Sequence, residues 1–170
     1  METSKAIATR RSTRQFARRP VSKEILERIA EAGRLAPTAR NEQPWEFVIV
    51  TLPGTLEKLA NLTDYGKFIA AASACIAVFC RDTKYYLEDG CAATENMLLT
   101  ATDLGLQSCW VAGDKKSYVG VVAQLLDVPP QHNLVSLIAL GYGDGPVKVT
   151  PKRELAKILH WEKFQAERAV

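Results

Sequence analysis

The sequence is poor in the residues that build metal centres. It has only two histidines, His132 and His160, and they lie far apart, which excludes a histidine-rich metal centre. No two of its four cysteines have CxxC spacing, so structural thiols are favoured over the alternative of four ligands to one zinc ion or iron–sulfur cluster. These cysteines are Cys75, Cys80, Cys91 and Cys109. We predict no metal site.

Long apolar runs and basic runs are absent as well. No apolar run approaches the roughly 20 residues of a membrane span, and no basic start leads into an apolar core at the N-terminus. We therefore expect a cytoplasmic protein with no membrane partner. The net charge of +3 is not gathered into one basic run, which makes nucleic acid a weak alternative ligand.

The glycine pattern of a dinucleotide site is also missing. No GxGxxG follows a first strand, and the GYGDG sequence at 141–145 lacks the required spacing. A Rossmann-type NAD site is not supported.

What the sequence does contain is enough apolar material for one core. With 170 residues, 47% of them hydrophobic, we expect a single domain over residues 1–170. Helical and strand patterns alternate, which predicts an α+β fold in three layers. The expected helices cover about 1–9, 22–35, a short stretch after 54, 84–104 and a segment ending before 128; the expected strands cover 45–51, 75–80, 107–111 and 133–142.

The C-terminal tail, about 154–170, is amphipathic. Its apolar side chains are Leu155, Ile158, Leu159, Trp161 and Phe164. Because a small domain has little spare surface on which to bury them, we predict that this tail packs on a partner subunit. The alternative is a last helix packed on its own domain. The unusually apolar helix at 84–104 also favours a subunit interface.

A cluster of arginines lies between the first two predicted helices. The sequence RRSTRQF at 10–16 places Arg10, Arg11 and Arg14 around the hydroxyls of Ser12 and Thr13. Guanidinium groups bind phosphate through paired hydrogen bonds, so this density of donors indicates a phosphate site. The alternative is a solvated connection that is basic by chance.

A second polar segment, APTARNEQPW at 36–45, carries Asn41 and Gln43. Their amides both donate and accept hydrogen bonds, as the edge of a planar ring with mixed donors and acceptors requires. Taken alone, these two residues would be better explained by turn chemistry before a strand. Together the two segments indicate a phosphorylated planar cofactor, and flavin mononucleotide (FMN) has both features.

Five segments in sequence order resemble the FMN-dependent nitroreductase family. They are RRSTRQF, APTARNEQPWEFVIV, DGCAATENMLLTATDLGLQSCWVAG, LIALGYG and PKRELAKILHWEKF. The resemblance implies a three-layer α/β/α sandwich with a mostly antiparallel central sheet. It also implies an intertwined homodimer with two FMN molecules at the subunit interface. NADH or NADPH would deliver a hydride to flavin N5, and nitroaromatics, quinones or related acceptors would then be reduced in a ping-pong reaction.

The resemblance also implies which residues bind the cofactor, and it requires no catalytic side chain. The phosphate and ribityl chain would be held by Arg10, Ser12 and Arg14, with Arg11 beside them and Lys152 and Arg153 completing the anion site. From the other subunit would come Pro37, Thr38, Ala39 and Asn41, with Gln43 nearby. Backbone near flavin N5 would come from Trp110, Val111, Ala112 and Gly113, where a glycine suits close backbone approach to the flavin. Lys67 would reach the pyrimidine edge.

One departure from longer family members concerns the cover over the flavin. Only a few residues separate Cys80 from the long helix, and no lid insertion is evident. Substrate preference is therefore not carried over, and the flavin destructase and iodotyrosine deiodinase branches are disfavoured. Two other functions stay open: a flavin store or sensor with little turnover, and a binder of an anionic nucleotide or nucleic acid.

Overall fold

The computed structural model of the chain describes residues 2–164. Met1, the first residue of the predicted N-terminal helix, and residues 165–170 of the predicted tail lie outside the described residues. The helices are α1 (Thr3–Thr9), α2 (Lys23–Arg34), α3 (Pro53–Leu62), α4 (Tyr86–Asp103) and α5 (Val119–Leu125). The strands are β1 (Trp45–Val50), β2 (Ala74–Arg81), β3 (Gln107–Ala112) and β4 (His132–Gly141). Short 3-10 turns cover Ala39–Asn41, Lys67–Ala71 and Leu155–Lys157.

Local sequence signals set the ends of the helices beside the polar segments. Helix α2 begins after Ser22, whose Oγ accepts a hydrogen bond from the Ile25 backbone N at 3.4 Å. It ends at Arg34, ahead of Pro37. Helix α4 ends just before Gly105, which has a φ of +77°, a conformation that glycine adopts without steric cost.

The four strands form one antiparallel sheet in the order β1-β2-β4-β3. Strand β2 lies between β1 and β4 and is buried along its whole length except for Arg81. Such a near-continuous apolar run is typical of a strand covered on both faces. Strand β3 is at one edge of the sheet, and β1 is at the other.

Helices cover both faces of the sheet. On one face, α2 and α4 pack on side chains such as Ile76 and Ile138. On the other face, α3, α5 and the turn at 67–71 pack on side chains such as Phe79 and Leu137. The three-layer α/β/α fold with an antiparallel sheet predicted from the sequence is therefore confirmed. Within residues 2–164, no helix is long and apolar enough to cross a membrane.

The part of the tail that the structure describes does not pack on its own core. Leu155 is 67% exposed, Trp161 is 72% exposed and Phe164 is 80% exposed. Only a single 3-10 turn, Leu155–Lys157, forms here. The alternative of a last helix packed on its own domain is thus wrong for residues 155–164. Since most helical stability in proteins comes from packing of an apolar face, the exposure of these side chains within residues 2–164 fits the lack of a longer helix here.

Candidate functional site

The arginine segment runs beside the edge strand β3. Ser12 forms a parallel β-bridge with Ser108, and the Thr13 backbone N donates to the Ser108 carbonyl at 3.0 Å. The guanidinium of the next residue, Arg14, lies 5.6 Å from the centre of the Phe68 ring. The sheet edge therefore fixes the backbone of the predicted phosphate segment.

Next to this segment is a cavity of about 170 Å³. Its lining contains two cations, four aromatic rings and part of the β3 backbone: Arg14, Tyr65, Phe68, Cys109, Trp110, Val111, Ala112, Lys116 and Tyr118. Four predicted site residues are thus brought together: Arg14, Trp110, Val111 and Ala112. The lining carries no carboxylate, so it suits a planar anion. Its volume is below the roughly 300–1,000 Å³ typical of ligand pockets.

The other two arginines of the cluster have structural partners. Arg10 Nε lies 3.4 Å from Glu95 Oε1 of α4. Arg11 Nη1 donates to the Ala8 and Arg10 carbonyls, both at 2.7 Å, and so satisfies the C-terminal end of α1. The Arg11 Nε is buried and has no hydrogen-bond partner among residues 2–164. It is therefore a donor available to a ligand that reaches it.

Gly113 has a reason to be glycine that does not involve a cofactor. A Cβ at this position would lie 2.7 Å from both the side chain and the carbonyl oxygen of Leu134, and 2.9 Å from the Val135 carbonyl carbon. The Gly113 backbone N also donates to the Val135 carbonyl at 3.1 Å. The close backbone approach seen at Gly113 is to β4 of the same chain. The approach to a flavin stays a prediction.

The second polar segment, residues 38–43, is held by α4. The Thr38 hydroxyl donates to Asp89 Oδ2 at 2.8 Å, and the Ala39 backbone N donates to Asp89 Oδ1 at 3.1 Å. Within the segment, Gln43 Nε2 donates to Asn41 Oδ1 at 3.0 Å. The two amides predicted to read a ring edge are therefore paired with each other in the single chain.

Backbone strain is concentrated in the same segment. Arg40, Asn41 and Gln43 have φ values of 55°, 57° and 45°. Positive φ costs a residue with a Cβ on the order of 1–3 kcal/mol, less for asparagine. Three such residues within four positions persist only where the surroundings impose them, and strain of this kind is concentrated at ligand sites.

The remaining predicted cations do not line the cavity, and two of them have local partners. Lys67 Nζ donates to the Asn61 carbonyl at 3.0 Å. Arg153 Nη2 donates to the Lys157 carbonyl at 3.0 Å, and both Lys152 and Arg153 are exposed. Among the described residues, the cavity lining likewise includes none of the predicted residues Pro37, Thr38, Ala39, Asn41 and Gln43. One chain thus assembles only part of the predicted site.

Sequence reasoning missed a second polar contact at the start of α4. The Tyr86 hydroxyl donates to Asp114 Oδ1 at 2.7 Å, and this hydrogen bond raises the pKa of Tyr86 to about 12. The sequence analysis did not single out Asp89 or the rings of Tyr65, Phe68 and Tyr118 either. Asp89 could have been noticed because it is an acidic residue in the first turn of an apolar helix. No sequence signal pointed to the three rings.

The Cys109 thiol lies in the cavity lining. Burial raises its pKa, although Arg14, Ser12 and Arg10 act in the opposite direction. A buried thiol of this kind is a small apolar contact.

Comparison with known proteins shows which family this chain resembles over most of its length. The model of the nitroreductase family matches residues 7–72 and 80–142. The chain belongs to the nitroreductase family. A relative from Archaeoglobus fulgidus, provisionally named an NADH dehydrogenase/NAD(P)H nitroreductase, is 38% identical over 149 residues, which span 83% of this chain and 85% of the relative.

Solved structures show the same fold. An FMN-dependent nitroreductase from Clostridium difficile superimposes with a TM-score of 0.89 at 27% identity, covering 94% of this chain and 98% of the other. A protein of Desulfovibrio desulfuricans, provisionally named a nitroreductase and solved in complex with FMN, gives a TM-score of 0.82 at 29% identity, covering 97% and 99%. The family and fold implied by the sequence resemblance are confirmed.

Proposed function

We propose that this nitroreductase-family protein is an FMN-dependent oxidoreductase that uses NADH or NADPH to reduce nitroaromatics, quinones or related acceptors. The observation that carries the proposal is the cavity beside β3, in which Arg14, aromatic rings and strand backbone meet. It is supported by the names of the relatives above, one of them solved with FMN.

The residues present fit the chemistry of FMN. Arg14 and the buried, unpartnered Nε of Arg11 offer donors to a phosphate, with Arg10 and Ser12 beside them. Aromatic rings such as Tyr65 and Phe68 suit a flat ring system. The backbone of Trp110, Val111, Ala112 and Gly113 would lie against the ring, and Lys67, Lys152 and Arg153 would add positive charge around the cofactor.

The rest of the site comes, in this proposal, from a second copy of the chain. The cavity is too small for a cofactor of this size, residues 37–43 lie outside its lining, and the apolar side chains of the described part of the tail, up to Phe164, are exposed. A homodimer would add Pro37, Thr38, Ala39, Asn41 and Gln43 to the partner's cavity. It would also bury the tail from about residue 154 onward. Each chain is then one domain over residues 1–170.

The protein's part in the reaction is binding and electrostatics. When bound, flavin supplies hydride and electron transfer, and one shared site for donor and acceptor gives ping-pong kinetics. The cations Arg14, Lys67 and Arg153 would stabilise negative charge on the phosphate and the ring. The partly buried ring of Phe68 would limit access of water to the cofactor. No side chain is required as a general base.

The test is the visible spectrum of the purified protein, recorded anaerobically before and after addition of NADH and then NADPH. Flavin bands that bleach with either nucleotide are expected, and the faster one identifies the donor. Bands that only dithionite bleaches would favour a flavin store or sensor. A colourless protein that does not take up FMN would contradict the proposal, and salt-sensitive polyanion binding would then point to nucleic acid. Location in the cytoplasm stays a prediction.

A further inference from the structure

Asp89 is a buried carboxylate whose described hydrogen bonds all come from one segment. It lies in the first turn of α4 and is only 5% exposed. Its two oxygens accept from the Thr38 hydroxyl at 2.8 Å and from the Ala39 backbone N at 3.1 Å. A buried carboxylate is costly unless donors compensate it, and the N-terminal end of a helix lowers that cost.

Further hydrogen bonds lead from Thr38 to the rest of the segment, up to Gln43. The Thr38 Oγ1 that donates to Asp89 also accepts a hydrogen bond from the Gln43 backbone N at 3.3 Å. The Gln43 side-chain amide donates in turn to Asn41 Oδ1 at 3.0 Å. Asp89 is therefore connected through Thr38 to both amides, across the residues that have positive φ.

We propose that Asp89 is a positioning residue for the cofactor. It fixes the Thr38–Gln43 segment in its strained conformation, so that the Asn41 and Gln43 amides are pre-ordered for the edge of the bound ring. The inference rests on the proposed function, since the ring is that of FMN. Ordering the segment before binding removes an entropic cost that the cofactor would otherwise bear.

Helix α4 offers a matched control. The Thr94 hydroxyl is fully buried, donates to the Gly90 carbonyl at 2.7 Å and lies 2.8 Å from Ser136 Oγ. Thr94→Val removes a buried hydrogen-bonding group from the same helix without touching residues 38–43. Its effect on the melting temperature shows what a purely structural loss does.

The experiment measures the Kd for FMN by quenching of flavin fluorescence on the deflavinated wild-type, Asp89→Ala, Asp89→Asn and Thr94→Val proteins. Each is measured well below its melting temperature. We expect Asp89→Ala to weaken FMN binding about 10- to 100-fold, because two hydrogen bonds to a charged group are lost. The Kd of Asp89→Asn should lie between those of Asp89→Ala and wild type, because the amide oxygen of asparagine still provides one acceptor. Thr94→Val should leave the Kd unchanged within about twofold.

The outcomes separate the two proposals. If wild type does not bind FMN, the proposed function fails. If wild type binds and Asp89→Ala binds equally well while its melting temperature falls like that of Thr94→Val, Asp89 is merely structural and this inference is overturned. Should Asp89→Ala not fold, Asp89→Asn decides: a Kd equal to that of wild type overturns the inference, and a weaker one supports it.

Discussion

The two halves of the proposed FMN site are held in the fold by different means. Residues 10–14 are fixed through backbone bonds to the edge strand β3, with Thr13 N bonded to the Ser108 carbonyl. Residues 38–43 are held by side chains, chiefly the bonds from Thr38 and Ala39 to Asp89. Arg81 Nη2 of β2 also donates to the Glu42 carbonyl at 3.0 Å. A half fixed by the sheet is insensitive to single side chains. A half fixed by a few side chains, with Asp89 accepting two of the bonds, is sensitive to the loss of that carboxylate.

Helix α4 connects the two halves. Its Glu95 contacts Arg10, and its Asp89 holds Thr38. These two residues are six positions apart, which is about 9 Å along the helix axis. The single chain therefore presents the two halves at separate places along α4.

The largest effect is expected from removing the phosphate cations on both sides of the proposed site. Arg14→Ala combined with Arg153→Ala should weaken FMN binding about 100- to 1,000-fold, because two charge-assisted contacts are lost. Flavin content and Kd are the measurements. Arg34→Ala is the control, since Arg34 pairs with Glu31 on the exposed surface of α2. Unchanged FMN occupancy in the double variant would show that the phosphate lies elsewhere.

A mixed dimer tests whether the halves belong to different subunits. Arg14→Ala damages the cavity half of a site, whereas Asp89→Ala damages the half that a chain lends to its partner. When differently tagged copies of the two variants are co-expressed, both lesions fall on one site and the other site is intact. The mixed dimer should then hold about half of the wild-type FMN, more than either homodimer of variants.

A lower FMN content of the mixed dimer would contradict a shared site. If each chain built its site alone, the mixed dimer would carry one lesion in each site. Its FMN content would then be only the average of the two variant homodimers.

The sequence predicted the helices and strands well, but it did not predict the hydrogen bonds between residues far apart in the chain. Strand β1 was expected at 45–51 and covers Trp45–Val50, because a run of aromatic and β-branched side chains is a local signal. The contacts of Thr38 with Asp89 and of Tyr86 with Asp114 join residues far apart in the chain. No local pattern encodes such pairs, so only the fold shows them.

The same limit applies to the site itself. The arginines of 10–14 were found from composition, but only the fold shows that Arg11 satisfies the end of α1 while Arg14 lines the cavity. The tail was recognised as amphipathic, whereas its lack of a helix over residues 155–164 follows from missing packing partners. Helical periodicity does not reveal whether those partners are present.

A smaller effect is expected at Gly113, whose backbone packs closely against β4. Gly113→Ala should lower the free energy of unfolding by about 1–3 kcal/mol, because the added Cβ meets Leu134 at 2.7 Å. Urea unfolding measures it. Gly120→Ala is the control, since a Cβ there meets nothing within 4 Å and should be neutral or stabilising by up to about 1 kcal/mol. Full stability of Gly113→Ala with loss of FMN would instead assign this glycine to the cofactor.

The smallest effect concerns Tyr86, whose bond to Asp114 ties the start of α4 to the loop after β3. Tyr86→Phe should cost about 1 kcal/mol at pH 7, the usual net value of one hydrogen bond. The pKa of Tyr86 is raised from 10 to about 12, so the folded state keeps this proton while the unfolded state loses it. The contribution of Tyr86 to stability is therefore complete below pH 10 and is lost as pH rises toward 12. In urea unfolding across this range, Tyr86→Phe should lose stability less steeply than wild type, whereas the exposed neighbour substitution Tyr85→Phe should follow wild type. Equal slopes for wild type and Tyr86→Phe would mean that the hydrogen bond between Tyr86 and Asp114 does not persist in solution.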